Sequence, residues 1–110
     1  MKIRIGCDIV KISRFDNIKK KTLERIFHKN EIKKSKMNPE TLAGIFAAKE
    51  SCKKVFNDIN WHDIEIKKKR NGKPLLILGK DKGVASSDLS ISHDGDYAIA
   101  SVVFLIREVQ

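Results

Sequence analysis

Four polar side chains stand at positions where folding alone would favour other residues. Asp8 lies in the alternating, strand-like run "IRIGCDIV", although aspartate is disfavoured in strands. Lys49 and Glu50 are adjacent in "GIFAAKESCKKVF", and a helical turn of about 100° per residue puts Lys49 inside the apolar side and Glu50 at its border. His93 ends a strand-like run beside a tight turn. Each has an ordinary structural explanation when taken singly: a turn or ion pair for Asp8, snorkelling for Lys49 and a hydrogen-bonded turn for His93.

Taken together, these side chains indicate chemistry on a phosphorylated substrate. Two carboxylates from different elements, Asp8 and Glu50, suit Mg²⁺, which keeps several waters and shares other positions with substrate phosphates. Basic side chains that could surround a polyanion are Lys49, Lys53, Lys54 and His93. The chain has neither a GxxxxGK[ST] loop nor a GxGxxG motif, and this excludes the usual nucleotide-binding patterns. No Ser/His/Asp or Cys/His arrangement for nucleophilic catalysis is recognisable in the sequence.

The candidate residues must be positioned by a few predicted elements. The first run predicts a strand with Ile3, Ile5, Cys7 and Ile9 on one face. Ser13 is predicted to cap a helix that runs to about Phe27. Asn38 and Pro39 predict the start of a second helix, running to about Asn57.

The second half of the chain predicts two β-hairpins. "DIEIKKKRNGKPLLIL" turns at Asn71-Gly72, and "LSISHDGDYAIASVVFLI" turns at Asp94-Gly95. The segment between them, "GKDKGVASSD", is predicted to be a polar link. Helices in the first half followed by hairpins favour an α+β fold, with helices packed on an antiparallel sheet. The length of 110 residues suits a single domain spanning residues 1–110.

The charge is concentrated in one quarter of the chain. The net charge is +9, and residues 11–36 carry ten Lys or Arg against three acids, or +7. This indicates an anionic partner: a nucleic acid, an acidic protein or a phosphorylated ligand, although a solvated lysine surface is the plainer explanation. A basic nucleic-acid-binding domain is therefore the alternative hypothesis. Aromatic residues at 6%, without interleaved basic and aromatic positions, argue against it.

The cysteine pattern and hydropathy predict the compartment. Cys7 and Cys52 lie in apolar patterns without metal-ligand spacing, and we expect them to be reduced, buried thiols. No apolar run is long enough to span a bilayer. We therefore expect a cytoplasmic protein that does not bind a membrane.

Four segments carry a family resemblance that covers nearly the whole chain. In order, "IGCDIVKISRF", "FAAKE", "DIEIKKKRNGKP" and "LSISHDGDYAIASVV" resemble the bacterial holo-[acyl-carrier-protein] synthases, which belong to the 4'-phosphopantetheinyl transferases. The resemblance implies transfer of the phosphopantetheine arm of coenzyme A to a serine of apo acyl carrier protein, with release of adenosine 3',5'-bisphosphate. It also implies fatty acid biosynthesis and a homotrimer with active sites between subunits.

The resemblance also assigns residues. Asp8 and Glu50 would hold Mg²⁺ on the pyrophosphate, and Lys54 would lie near the phosphates. The proton of the attacking serine would go to Glu50 or to a metal-held water. Ser92 and His93 would meet the adenosine end of coenzyme A. The basic surface predicted to dock the acidic carrier protein contains Arg14, Lys20, Lys21 and Arg25.

The chain departs from the family pattern at three places. A glycine-rich loop that often follows the "KE" helix is absent, because "VFNDINW" runs directly into "HDIEI". Ile45 replaces an arginine that often precedes "FAAKE", and Asp94 follows the histidine where threonine is frequent. A relative that binds carrier protein without catalysis is therefore a further alternative.

Overall fold

The structure, a computed structural model, describes residues 1–108 and has the predicted α+β architecture. In chain order its elements are β1 (Lys2–Lys11), α1 (Lys20–Glu24), α2 (Lys29–Ser35), α3 (Pro39–Val55), β2 (Ile64–Lys68), β3 (Pro74–Leu78), β4 (Val84–Asp94) and β5 (Tyr97–Ile106). Short 3-10 turns lie at Ile12–Phe15 and Trp61–Asp63. β1, β5 and β4 form an antiparallel sheet in that spatial order, and β2 pairs with β3 in a separate hairpin.

Helix α3 begins where the sequence predicts. The Asn38 side chain accepts a hydrogen bond of 3.1 Å from the Thr41 backbone N–H, and Pro39 occupies the first turn. The Asn38 side chain thus pairs one of the free backbone N–H groups at the helix start, and Pro39 has no N–H group to pair. The helix packs across the three-stranded sheet and buries Leu42, Phe46 and the other apolar residues of its inner side.

Gly6 lets α3 approach strand β1 closely. A Cβ atom at this position would overlap the Ser51 carbonyl oxygen and lie 3.2 Å from Val55 Cγ2. Glycine is therefore required where the helix backbone meets the strand. This contact holds the part of β1 that contains Asp8 against the turn of α3 that follows Glu50. The candidate site lies beside this contact.

The single helix predicted from Ser13 to about Phe27 is wrong. Ser13 lies inside a 3-10 turn and caps nothing, and Asn17 adopts the left-handed φ of 53°, which interrupts the helix before α1. Helix α2 was not predicted. The inward side chains were nevertheless identified correctly in part, because Phe15 and Phe27 are buried in the core.

Both hairpins form, with adjusted turns. The first has a loop over residues 69–73, with Gly72 at a φ of 85°. In the second, Asp94 pairs with Tyr97, so the turn lies one residue later than predicted. The predicted link is partly wrong, because β4 begins at Val84. An irregular register between Val84 and Ser86 obscures the strand pattern there.

The more apolar face of β1 is the exposed one. Ile5 is 74% exposed, and with it on the face away from α3 lie Ile3, Ile9, Ile99 and Val103. We call these five residues the outer apolar face. Cys7 lies among them and is exposed, so its predicted burial is wrong, whereas Cys52 is buried as expected. No helix within residues 1–108 is long and apolar enough to cross a membrane.

Candidate active site

The candidate site is built around an ion pair between β1 and α3. Asp8 lies on the strand face that α3 covers, and its side chain is 15% exposed. The Lys54 ammonium group donates to Asp8 Oδ1 at 3.0 Å and to the Cys7 carbonyl oxygen at 2.9 Å. The Lys54 side chain is 53% exposed, so it reaches this position from solvent. The structure thus brings together a carboxylate and a lysine that the sequence predicted as site residues.

Glu50 belongs to the same part of the structure. It is half-buried and precedes Lys54 by four residues, so the two side chains share one face of α3. The close contact at Gly6 holds the next residue, Ser51, against β1. Glu50 therefore lies one helical turn before Lys54, on the side of α3 that carries the ion pair with Asp8.

The donor chemistry of this site fits Mg²⁺. Two carboxylates supply hard oxygen ligands, and Asp8 already carries a cation, the Lys54 ammonium. Within the described part of the chain, no group of three His, Cys, Asp or Glu side chains could hold a metal unaided. A metal bound by Asp8 and Glu50 would therefore complete its coordination with water and substrate oxygens.

Lys49 does not belong to this site, and its predicted contact with coenzyme A is not supported by its position. The side chain has no exposed surface, and its ammonium lies 2.8 Å from Glu31 Oε1. It also donates to the carbonyl oxygens of Ile26 (3.1 Å), Trp61 (3.3 Å) and Ile64 (2.7 Å). Lys49 faces the core because a buried carboxylate and three carbonyls receive it there.

Glu31 completes this buried polar cluster. Its Oε1 accepts from the His28 backbone N–H at 2.7 Å, and its Oε2 accepts from that of Ile66 at 2.8 Å. Burial lowers the pKa of Lys49 below its usual value, and the Glu31 carboxylate opposes the shift. Four acceptors around the nitrogen match the protonated form. Glu31 was not predicted as a functional or structural partner, although a glutamate three residues after a helix start is a recognised capping signal.

Lys53 is also engaged elsewhere. Its ammonium donates to the Ile59 carbonyl oxygen at 2.8 Å and lies 4.7 Å from the centroid of the Trp61 ring. These contacts connect α3 to the loop that follows it. The structure does not place it beside Asp8.

His93 lies in a large cleft near the other end of α3. The cleft has a volume of about 740 Å³ and lies between α2, the first half of α3, the β2–β3 hairpin and β4. His93 Nε2 is 3.0 Å from the Glu40 carbonyl oxygen, and Gly44 leaves room for the imidazole ring. At 1.5 Å rise per residue, Gly44 and Lys54 are about 15 Å apart along the helix. The cleft and the carboxylate site are therefore two separate places within one chain.

Ser92 does not share the His93 environment. Successive strand residues point to opposite faces, and Ser92 pairs with Ile99 of the outer apolar face. Both residues were predicted to meet the adenosine end of one ligand. Within one subunit, they point to different faces of the sheet. Three exposed lysines of the cleft were not predicted as site residues, because they carry no periodic signal in the sequence: Lys34, Lys67 and Lys68.

The predicted docking surface is exposed. Lys20, Lys21 and Arg25 lie on or next to the short helix α1, where Leu23 provides the buried anchor. The Arg14 guanidinium lies over the Phe46 ring, 5.0 Å from its centroid. These four basic side chains are positioned so that a partner could reach them.

Comparison with known proteins places the chain in a family. A model of the 4'-phosphopantetheinyl transferase superfamily matches residues 4–102. The holo-[acyl-carrier-protein] synthase of Sulfurimonas denitrificans is 41% identical over 111 residues, covering 89% of this chain and 91% of that protein. The Helicobacter pylori synthase is 38% identical over 112 residues, covering 90% of this chain and 94% of that protein.

Solved structures agree with this assignment. The Helicobacter pylori synthase in complex with coenzyme A superposes with a TM-score of 0.84 at 37% identity, covering 93% of this chain and 100% of that one. The Bacillus anthracis synthase, in complex with CoA (3',5'-ADP), gives 0.79 at 34% identity, with coverage of 91% and 93%. The chain therefore belongs to the 4'-phosphopantetheinyl transferase superfamily. Its relatives there are holo-[acyl-carrier-protein] synthases, the enzyme class that the sequence motifs predicted.

Proposed function

We propose that this chain transfers the 4'-phosphopantetheine arm of coenzyme A to a serine of apo acyl carrier protein, releasing adenosine 3',5'-bisphosphate. The observation that carries the proposal is the ion pair between Asp8 and Lys54 at the contact between β1 and α3, with Glu50 one helical turn before Lys54. The synthases it resembles, some solved with coenzyme A, support the same reaction. The proposed activity requires Mg²⁺ and resides in one domain, residues 1–110.

Asp8 and Glu50 would hold Mg²⁺ in this proposal. When bound, the metal neutralises the pyrophosphate and makes its phosphorus more electrophilic. Lys54, whose ammonium reaches the same place from solvent, stabilises negative charge on the phosphate that leaves. The serine hydroxyl of the carrier protein attacks the phosphorus and loses its proton to Glu50 or to water beside it.

The nucleotide end of coenzyme A would occupy the cleft that contains His93, contributed by a neighbouring copy, because within one chain this cleft and the carboxylate site are separate places. A volume of about 740 Å³ is in the range of small-molecule sites. The imidazole of His93 and the cleft lysines are suited to an anionic nucleotide, with Ile45 and Ile91 supplying apolar walls. Ser92, on the opposite face, would reach coenzyme A only through an arrangement that involves a neighbouring copy.

Assembly into a homotrimer is the proposed arrangement. The outer apolar face exposes several large aliphatic side chains on one side of the sheet, which is typical of an interaction surface. Covering it with another copy would bring active-site groups from neighbouring subunits together. The basic surface of Arg14, Lys20, Lys21 and Arg25 would then receive the acidic carrier protein. We propose a cytoplasmic reaction in fatty acid biosynthesis.

The nucleic-acid alternative receives no support from the surface. The five phenylalanines are buried in the core, and Trp61 stacks on Phe46 at 5.4 Å between ring centroids. Base stacking requires exposed aromatic platforms. Across residues 1–108, the large exposed hydrophobic side chains include a single aromatic, Tyr97.

The proposal is tested by incubating the protein with coenzyme A, Mg²⁺ and apo acyl carrier protein, and weighing the carrier protein by intact mass spectrometry. We expect the mass of one phosphopantetheine arm to be added. A carrier protein that binds in a pull-down but gains no mass would instead identify a non-catalytic relative.

A further inference from the structure

Lys54 forms an ion pair with the Asp8 carboxylate, which the proposed metal requires as a ligand. Its ammonium lies 3.0 Å from Asp8 Oδ1, and no other cationic side chain of residues 1–108 forms an ion pair with Asp8. A lysine that contacted phosphate alone would have no need to bind this carboxylate. The same nitrogen is fixed by the Cys7 carbonyl oxygen at 2.9 Å, so the contact is held by two acceptors.

We propose that Lys54 is a placeholder cation: it pairs with Asp8 before the metal binds, and the metal displaces it from that carboxylate. This inference rests on the proposed function, because it assumes the metal site at Asp8 and Glu50. Asp8 is mostly buried, and an unpaired carboxylate there would be costly. Lys54 therefore stabilises the metal-free site and keeps Oδ1 oriented.

The displaced lysine has somewhere to go. Its side chain is 53% exposed and belongs to the last turn of α3, so it can move without rearranging the core. A divalent cation at Asp8 would repel the ammonium group, because like charges at contact distance are unfavourable. The ammonium would then be free for an anionic group of the substrate. One residue thus serves the site in two states.

Competition for one carboxylate has a measurable consequence in the absence of coenzyme A. If Lys54 competes with the metal, Lys54→Met should bind Mn²⁺ or Mg²⁺ more tightly than the wild type. Partly exposed ion pairs are weak, so the gain should be about two- to fivefold in dissociation constant. Lys54→Arg keeps a cation and should show no gain. A lysine that is only structural, or only a phosphate ligand, would leave metal affinity unchanged or lower.

The experiment measures Mn²⁺ binding by electron paramagnetic resonance and Mg²⁺ binding by calorimetry on the protein without coenzyme A. Lys53→Met is the matched control, because it removes a neighbouring charge whose ammonium binds the Ile59 carbonyl oxygen instead. Tighter binding in Lys54→Met, exceeding that in Lys53→Met, is the expected result. Equal changes in metal affinity in the two variants, or no change in either, would contradict the proposal that Lys54 is a placeholder cation.

Asp8→Asn separates this inference from the proposed function. If Asp8→Asn weakens Mn²⁺ binding while Lys54→Met does not strengthen it, the metal site stands and the placeholder is wrong. If Asp8→Asn leaves Mn²⁺ binding at the wild-type value, the metal site itself is wrong, and the placeholder falls with it. Thermal unfolding of each variant verifies that the fold is retained.

Discussion

Replacing Lys49 with methionine removes one charge from a buried pair and leaves the Glu31 carboxylate in the core without its cation. Glu31 and Lys49 are essentially inaccessible to solvent, and their charged atoms lie 2.8 Å apart. Methionine fills similar space, so the change in packing is small. The cost therefore comes from the unpaired carboxylate, and breaking a buried pair in this way costs about 3–5 kcal/mol.

This cost is large for a chain of this size. An unfolding entropy of about 2.1 cal/mol/K per residue converts 1 kcal/mol into a shift of about 4.3 °C in Tm, so we expect Lys49→Met to lower the Tm by about 13–22 °C. Thermal unfolding followed by circular dichroism, with calorimetry for the enthalpy, measures the shift. If the variant does not fold at room temperature, urea unfolding of the wild type gives the free energy of unfolding that the substitution must at least have removed.

A double variant tests the reason for the loss. Lys49→Met with Glu31→Gln removes both charges and keeps one amide oxygen to accept a backbone N–H, so it should be more stable than Lys49→Met alone by about 1–3 kcal/mol. A Tm for Lys49→Met within a few degrees of the wild type would refute the argument. A double variant no more stable than the single one would show that the unpaired carboxylate is not the cause.

Two further predictions concern surfaces. Reversing Arg14 and Lys21 to Glu should raise the apparent KM for carrier protein and leave coenzyme A binding nearly unchanged, because exposed charges act mainly on association. Steady-state kinetics at low and high salt measure this change in KM. A variant as active as the wild type at low salt would contradict the docking proposal. Ile5→Glu should dissociate the proposed homotrimer without unfolding the monomer, because Ile5 is 74% exposed in one chain. Light scattering gives the mass of the assembly in solution. An unchanged oligomer, or a wild type that is monomeric, would contradict the proposed interface.

Local signals were sufficient to predict much of this fold. The Asn38–Pro39 start of α3 and the two hairpins carried chemical signatures, cap and turn residues, that act over a few positions. The superfamily, the α+β class and the enzyme class were also predicted correctly. The break at Asn17 was missed, because a left-handed residue in a lysine-rich amphipathic run has no periodic signature.

The site could be predicted only in part, because the tertiary structure decides which side chains contact one another. The interruption of the apolar side at Lys49 was visible in the sequence, but its partner Glu31 lies in a helix that was not predicted. Alternation showed that Asp8 and the isoleucines of β1 lie on opposite faces, yet it could not show that the more apolar face is exposed. The separation of His93 from Asp8 likewise required the direction in which α3 crosses the sheet.

The most direct test of the account is the rate of arm transfer as a function of Mg²⁺ concentration for the wild type, Asp8→Asn and Glu50→Gln. Each substitution preserves size and removes one anionic oxygen ligand. We expect a saturable Mg²⁺ dependence in the wild type, and loss of that activity in both folded variants, as judged by modified carrier protein in intact mass spectra. Full turnover by either folded variant at ordinary Mg²⁺, or wild-type turnover that persists in EDTA, would contradict the proposed active site.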